Sequence, residues 1–258
     1  MGDSGDFIFA RRPDGILEFK GDFEGLYQSD PDPWGQSGGD PRMKEYYAFS
    51  RRRLLLTLND LPWKTLLEAG CGTGHVAFQI DRSFHPQRKV FGCDVSESAI
   101  KQARQLFPWL KFNVQDIGDT EDPQMSAWFE AQCDRVRRPR HHPDPPVGRS
   151  LRSRRSVTDW GLYDVIVLSQ TLWYVLNRLP AVFENALALL APHGHFIIQM
   201  AFLDKQEYGR EIVDGFNGLL RYVLDRYGAD FQVVSASYDA SSRFAPYHDG
   251  LLVLQSTR

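Results

Sequence analysis

The chain of 258 residues is 42% hydrophobic and 24% charged, which is enough apolar material to bury the core of one large α/β domain with a small cap. Its net charge of -3 excludes a general electrostatic attraction to nucleic acid or to anionic membranes. No apolar run approaches the roughly 20 residues that span a bilayer, and no secretory hydrophobic region opens the chain, so a cytoplasmic location is expected. The cysteines at positions 71, 93 and 133 are scattered, which predicts free thiols.

Residues 1–60 are predicted to form an N-terminal cap made of a hairpin and a helix. Two apolar runs, at residues 7–10 and 16–19, flank the sequence Pro-Asp-Gly at 13–15. This sequence predicts a hairpin turn, because proline fixes φ and glycine adopts the left-handed conformation. A helix is then predicted from Met43 to Leu58.

Residues 61–258 alternate short apolar strands with helices, which predicts a doubly wound parallel sheet with right-handed crossovers. The strands are nearly continuous apolar runs, as is typical of strands covered on both faces. The predicted strands are Thr65–Ala69, Lys89–Asp94, Lys111–Val114, Tyr163–Ser169 and His195–Met200. The predicted helices are His75–Arg82, Glu97–Leu106, Leu179–Ala191 and a segment at about 205–227. Two final strands, Phe231–Tyr238 and Leu251–Gln255, are predicted to pair antiparallel at the sheet edge.

Residues 134–158 interrupt this pattern with many arginines and several prolines. The segment has too little apolar surface to fold alone, so we interpret it as a mobile basic insertion. It carries no aromatic residue for base stacking apart from Trp160 at its end, which favours a solvated loop over a nucleic-acid site. Its adjacent His141 and His142 lack partner ligands, so no metal site is expected. A phosphorylated or carrier-protein-bound substrate is an alternative partner for the insertion.

Glycines and acidic residues follow three predicted strands, at the point where each strand ends. Glycines at residues 70–74 follow the first strand and allow a backbone to lie close to a ligand. Asp94 ends the second strand and could accept both ribose hydroxyls of a nucleoside. Asp116 follows the third strand and could accept an exocyclic adenine N–H, with the Ile117 backbone against the ring. Because ligands bind beyond the carboxyl ends of such strands, the combination favours a nucleoside site over an ordinary turn and two helix caps.

The spacing of the glycines distinguishes two classes of cofactor. The dinucleotide pattern G-x-G-x-x-G fails because His75 stands at the third glycine. The pattern present is E-x-G-x-G-x-G from Glu68, which resembles motif I of the class I S-adenosyl-L-methionine (SAM)-dependent methyltransferases. The sequences YDVIVL at 163–168 and LAPHGH at 190–195 are similar to that family's fourth strand and to its helix-to-fifth-strand turn.

This resemblance implies both a fold and a cofactor. The implied fold is a Rossmann-like methyltransferase fold, with a doubly wound seven-stranded sheet that is parallel except for one antiparallel edge strand, and the implied cofactor is SAM. The implied cofactor-binding residues are Glu68, Gly70, Cys71, Gly72, Gly74, Asp94, Val95, Asp116, Ile117, Ser169 and Arg53. Arg53 would pair with the SAM carboxylate, with Arg51 and Arg52 as alternatives.

A narrower resemblance concerns the N-terminus and the end of the fourth strand. The sequences FEGLY at 23–27, DPW at 32–34 and SQTLWYV at 169–175 resemble nodulation protein S-like N-methyltransferases. Gln170 stands where that group tends to carry Glu. The implied substrate-binding residues are Trp34, Trp173 and Tyr174. Alternatively, Trp34 anchors the cap, and the other two belong to an ordinary helix core.

The predicted topology also suggests catalytic residues. If the sixth strand is parallel and the seventh antiparallel, the loop that contains residues 243–249 lies on the cofactor side of the sheet. His248 is then a candidate general base, with a solvated loop histidine as the alternative, and Tyr247 is a candidate substrate contact. Gln170 and Tyr174 would orient the acceptor.

Three functions follow from these interpretations. The first is a cytoplasmic methyltransferase that acts on N or O of a small molecule or sugar-type acceptor. The second is an RNA methyltransferase that uses the basic insertion. The third is a non-catalytic SAM-binding scaffold.

Overall fold

A computed structural model describes residues 5–37, 41–119 and 162–258 of the chain. The predicted basic insertion at 134–158 lies outside the described residues, as do Cys133, His141, His142 and Trp160. Within the described part, no helix has both the length and the apolar character needed to cross a bilayer.

The predicted N-terminal hairpin is present. Strand β1 (Phe9–Arg11) pairs antiparallel with β2 (Leu17–Phe19), and Gly15 adopts a φ of 83° in the connecting turn. Helix α1 (Gly5–Ile8) precedes the hairpin, and α2 (Phe23–Ser29) follows it. The long helix α3 (Pro41–Asn59) extends the helix predicted at 43–58 slightly at both ends.

A seven-stranded sheet in the order β5-β4-β3-β6-β7-β9-β8 forms the centre of the molecule. Its strands are β3 (Thr65–Ala69), β4 (Lys89–Asp94), β5 (Lys111–Val114), β6 (Tyr163–Ser169), β7 (Leu190–Leu203), β8 (Phe231–Asp239) and β9 (Tyr247–Ser256). The helices are α4 (His75–Ser83), α5 (Glu97–Leu106), α6 (Leu179–Leu189) and α7 (Gly215–Tyr227). Strand β9 runs antiparallel to β7 and β8, and the other neighbours are parallel. The predicted fold class is therefore confirmed.

The starts of β7 and α7 differ from the sequence-based prediction for local reasons. Strand β7 begins at Leu190, directly after α6, because Leu190 already pairs with Tyr163 of β6. Helix α7 begins at Gly215 rather than near residue 205. Gly209 and Gly215 adopt φ values of 71° and 65°, which a continuous right-handed helix does not allow.

The sheet buries a separate apolar cluster on each face. Helices α6 and α7 pack on one face with side chains such as Phe183 and Leu219. Helices α3, α4 and α5 cover the other face with side chains such as Leu54, Ile80 and Ile100. The thiols at positions 71 and 93 are buried, free and in different clusters, as the prediction of free thiols requires.

A buried polar network fastens helix α3 to strands β7, β8 and β9. Its centre is Asp249, which is 1% exposed and accepts hydrogen bonds from the Tyr46 hydroxyl at 3.1 Å and from Gln199 Nε2 at 3.2 Å. Arg53 Nη1 donates to Asp249 Oδ2 at 2.5 Å, and Arg53 Nη2 donates to Ser237 Oγ at 2.6 Å. The predicted pairing of Arg53 with a cofactor carboxylate is therefore corrected, because this guanidinium is already engaged inside the fold.

We expect Asp249→Ala to lower the free energy of unfolding by about 3–5 kcal/mol, because it leaves a largely buried guanidinium without its partner. Urea denaturation measures this loss. The matched control is Asp230→Ala, which removes the partner of the exposed Arg258 and should cost about 1 kcal/mol or less. Equal losses in the two variants would contradict the structural role of Asp249.

Candidate functional site

The turn between β3 and α4 has three glycines with positive φ, at 71° for Gly70, 52° for Gly72 and 82° for Gly74. Such values favour glycine at each position. A Cβ atom at these positions would also come closer than 3.0 Å to the side chains of Thr171, Tyr27 and Phe112, respectively. The turn is therefore closely packed against β5, against the segment after β6, and against helix α2.

Asp94 holds this turn in place from the end of β4. Its Oδ2 accepts the backbone N–H of Gly72 at 2.8 Å, and its Oδ1 accepts the backbone N–H of Ser96 at 3.0 Å. Burial raises the pKa of Asp94, while these N–H donors oppose the shift. Each carboxylate oxygen has a second lone pair, so the residue can accept further hydrogen bonds from a ligand hydroxyl.

The segment after β5 is fixed by two polar side chains from the α6 region. Asp116 Oδ1 accepts the Gly118 backbone N–H at 2.8 Å, and its Oδ2 forms an ion pair with Arg178. Asn185 Nδ2 donates to the carbonyl of Ile117 at 2.8 Å. Arg178 and Asn185 were not predicted from the sequence, because neither lies in a recognisable motif.

A cavity of about 560 Å³ opens beyond the carboxyl ends of β3, β4, β5 and β6. The lining residues that the sequence analysis proposed are Gly70, Gly72, Asp94, Val95, Asp116, Ile117, Ser169, Gln170, Trp34, Trp173, Tyr174 and Tyr247. We call the part at the glycine turn and the two aspartates the cofactor half. The proposed residues Glu68, Cys71, Gly74, Arg53 and His248 are not part of the lining.

Glu68 lies in β3, beneath the glycine turn. It is 2% exposed, and burial raises its pKa to about 8, although a backbone hydrogen bond from Ala77 and the charge of Arg51 oppose this shift. Glu68 Oε2 and Arg51 Nε are buried and have no hydrogen-bond partner among the described residues. Arg51 therefore lies on the glycine-turn side of α3, unlike Arg53.

His248 does not face the cavity. It lies within β9, where successive side chains point to opposite faces, and its neighbour Tyr247 occupies the cavity side. The His248 ring contacts the Tyr238 hydroxyl at 2.9 Å through Nδ1 and Asp204 Oδ1 at 3.0 Å through Nε2. The predicted role as a general base is corrected, because residues 247–249 belong to a strand and not to a loop.

Gln170 lines the cavity, but its side-chain amide is engaged in the fold. Its backbone adopts a positive φ of 57°. Its Nε2 donates to the Tyr46 hydroxyl and to Ser50 Oγ, both at 3.2 Å, and its Oε1 accepts the Ala201 backbone N–H at 3.0 Å. Both amide hydrogens are thus committed to α3, so Gln170 is placed to fix the walls of the cavity and not to orient an acceptor.

Five aromatic side chains line another part of the cavity, which we call the aromatic half: Phe9, Phe23, Trp34, Tyr174 and Tyr208. Charged side chains also line the cavity, among them Asp30, Lys205 and Glu207. Tyr174 lies at the centre of the aromatic half, with ring centroids 5.4 Å from both Phe23 and Trp34 and 6.4 Å from Phe9. Phe9 and Tyr208 were not predicted from the sequence, because spacing along the chain does not show which rings the fold brings to one cavity.

Helix α2 joins the two halves. Glu24 accepts the Ser96 hydroxyl at 2.7 Å and the Ser98 hydroxyl at 2.6 Å at the start of α5. The hydrogen bond from Ser98 and then that from Ser96 lower the Glu24 pKa to about 2. On the same helix, the Tyr27 hydroxyl accepts Trp34 Nε1 at 3.2 Å. The cap is therefore attached directly to the element that follows Asp94.

Comparisons with known proteins place this geometry in a family. A family described as a methyltransferase domain matches residues 42–228. The N-methyltransferase NodS from Bradyrhizobium japonicum WM9, solved with S-adenosyl-L-homocysteine (SAH), has 17% identity and a TM-score of 0.57 over 90% of this chain and 99% of that chain. Magnesium protoporphyrin IX methyltransferase from Synechocystis PCC 6803, solved with SAM, has 16% identity and a TM-score of 0.55 over 90% of this chain and 94% of that chain. A search of curated protein sequences finds no match.

We expect Asp94→Ala to weaken SAM binding roughly tenfold to a hundredfold, because a hydrogen bond to a charged group contributes about 1.5–3 kcal/mol. Isothermal titration calorimetry measures the change, and thermal unfolding of the unliganded variant checks its fold. Asp60→Ala, at an exposed position after α3, is the matched control. Unchanged affinity in a folded Asp94→Ala protein would contradict the cofactor role.

Glu68 makes the stability of the fold depend on pH. Because burial raises its pKa from 4.5 to about 8, the native state binds more protons than the unfolded state between these values. Its contribution to stability is therefore present below pH 4.5 and is lost as pH rises towards 8. We expect Glu68→Gln, which cannot ionise, to show a smaller decline over this window in urea denaturation. Parallel curves for the two proteins would show that Glu68 is ionised in the fold.

Proposed function

This chain belongs to the family of SAM-dependent methyltransferases, and on that premise we propose that it methylates N or O of a small-molecule or sugar-type acceptor. One observation carries the proposal: the glycine turn, both aspartates and the aromatic half line a single cavity. A cytoplasmic location stays a prediction.

The residues of the cofactor half suit an adenosyl group. The carboxylate of Asp94 would accept the ribose hydroxyls, and Asp116 with the Ile117 backbone would contact the adenine. Arg51 does not line the cavity and its Nη2 donates to the Gln36 carbonyl at 2.9 Å, but its buried Nε, which has no hydrogen-bond partner among the described residues, would hold the carboxylate of the methionyl part. When bound, SAM supplies an electrophilic methyl group on a positively charged sulfur.

The protein's own contribution is then positioning and the exclusion of water. The aromatic half would hold the acceptor beside the cofactor half, and the hairpin covers it through Phe9 and Leu17. Holding two reactants in line can lower a barrier by roughly 7–11 kcal/mol without any proton transfer. The hydrogen bond from Trp34 to Tyr27 connects the two halves of the cavity. Tyr27 lies at the glycine turn and Trp34 would contact the acceptor, so the position of one side chain would constrain that of the other.

The proposal is tested by incubating the full chain with SAM labelled in its methyl group and with separate small-molecule and RNA fractions of a cell extract. We expect the label in a small molecule that mass spectrometry identifies, at a rate that changes little with salt. The Asp94→Ala protein is the control for background transfer.

Two results would contradict this function. Label that appears only in RNA, at a rate that falls steeply with salt, would favour the RNA methyltransferase. SAM binding without transfer to either fraction would favour a non-catalytic scaffold.

A further inference from the structure

We propose that Gln170 is a positioning residue for methyl transfer, and that its side-chain amide fixes the turn that carries Thr171 and Tyr174 between the two halves of the cavity. This role rests on the proposed function and names a residue that decides how the acceptor meets the cofactor. Three features support it: the backbone conformation of Gln170, the hydrogen bonds of its amide, and the direction in which each hydrogen is donated.

The turn after β6 contacts both halves of the cavity. Gln170 begins it with a φ of 57°, a left-handed value that is uncommon outside glycine. Thr171 packs on the glycine turn, since a Cβ atom on Gly70 would lie 2.5 Å from its Cγ2 atom. Tyr174 lies at the centre of the aromatic half, with its ring centroid 5.4 Å from that of Trp34. The position of this one turn therefore sets the separation between the two halves.

Two side chains attach the turn to a single residue of β7. Gln170 Oε1 accepts the Ala201 backbone N–H at 3.0 Å, and Trp173 Nε1 donates to the Ala201 carbonyl at 2.9 Å. The Gln170 backbone N–H donates to the Gln199 carbonyl of the same strand at 2.8 Å. A residue with a rare backbone conformation persists only where its surroundings hold it. The turn therefore depends on the Gln170 side chain for its place against β7.

The direction of the hydrogen bonds suits an amide at this position. Gln170 Nε2 donates one hydrogen to the Tyr46 hydroxyl and the other to Ser50 Oγ, both at 3.2 Å. The Tyr46 hydroxyl has one hydrogen, which it donates to Asp249 Oδ1 at 3.1 Å. Burial and then the charge of Asp249 raise the pKa of Tyr46, so this hydrogen is retained at neutral pH. Residue 170 must therefore donate to the Tyr46 oxygen and also accept from Ala201.

An ionised carboxylate at position 170 could not do both. It can only accept hydrogen bonds, so it would compete with Asp249 for the single Tyr46 hydrogen, and one oxygen would lose its donor. Such a loss is costly in a buried place, and the negative charge of Asp249 raises the pKa of a carboxyl group beside it. A protonated carboxyl group donates and accepts as the amide does. In Gln170→Glu, residue 170 should therefore change from a matching to a mismatched group as pH rises.

The place of the turn matters for the rate, because transfer needs the acceptor in line with the bond between the methyl carbon and sulfur. A displacement of about 1 Å that begins away from the reacting atoms can cost about a hundredfold in rate. Asp94 and Asp116, the proposed cofactor contacts, lie at the ends of β4 and β5. A displaced turn should therefore slow transfer at saturating SAM and change the KM for SAM little.

The test compares Gln170→Glu with the unchanged chain in the transfer of labelled methyl groups from SAM to the small-molecule fraction, at about pH 5.5 and about pH 8.5. At saturating SAM, we expect the variant to be within about threefold of the unchanged chain at the lower pH and at least about tenfold slower at the higher pH. The KM for SAM should stay within about twofold. Equal rate ratios at the two pH values, or a loss explained by a higher KM, would overturn the proposal.

Two further variants separate the amide from a general effect of charge. Gln170→Met keeps the length of the side chain without its N–H groups, and should be at least about tenfold slower at both pH values. Gln87→Glu adds the same charge at an exposed position that does not line the cavity, and should match the unchanged chain. A Gln170→Met protein as fast as the unchanged chain would also overturn the proposal.

Urea denaturation at both pH values shows whether each variant is folded in the assay. If Gln170→Glu unfolds at the higher pH, Gln170→Met at the lower pH decides the question, and unfolding of both variants would reduce Gln170 to a structural role and overturn the proposal. Failure of the proposed function is recognised in the unchanged chain, which would then transfer no label, and the positioning role would fail with it. Normal transfer by both the unchanged chain and Gln170→Glu would overturn the role of Gln170 alone.

Discussion

The site depends on one carboxylate, that of Asp94, which accepts two backbone N–H groups from different directions. One belongs to the glycine turn and the other to the start of α5, so a single side chain fixes the relation between β3, β4 and α5. The hydroxyls of Ser96 and Ser98 then bind Glu24 of α2. The cap, the turn and the sheet are therefore connected through one short series of hydrogen bonds around the cofactor half.

The two halves of the cavity are built by different means. The cofactor half consists of strand ends, backbone and carboxylates, and its geometry follows from the parallel sheet. The aromatic half consists of side chains from the hairpin, from α2 and the loop after it, and from the segments after β6 and β7. Under the proposed function, the adenosyl group and the acceptor would be bound by separate parts of the chain, which meet at the contact of Tyr27 with Trp34.

The sequence was sufficient for the order of the strands and for placing the glycine turn and the two aspartates at the strand ends, because strand periodicity and glycine spacing are local signals. It was misleading where the direction of a side chain decides its role. Arg51 and Arg53 are two positions apart on a helix, so they point about 200° apart around its axis, and only the packing shows which of them faces the turn. The predicted role of His248 as a general base was wrong for a similar reason. His248 lies in strand β9 and not in a loop, and its side chain points to the face of the sheet opposite that of Tyr247, away from the cavity. Gln170 lines the cavity as expected, but its partners come from α3 and β7, distant in sequence.

The match to the methyltransferase family begins at residue 42, whereas Phe9, Phe23 and Trp34 lie before it. Most of the rings of the aromatic half are therefore contributed by a short upstream segment that supplies no strand to the central sheet. Exchanging that segment would replace three of the five rings, while Tyr174 and Tyr208 would stay with the strands of the central sheet. Such an exchange would have to retain Glu24, which binds the start of α5, and Tyr27, which packs against the glycine turn.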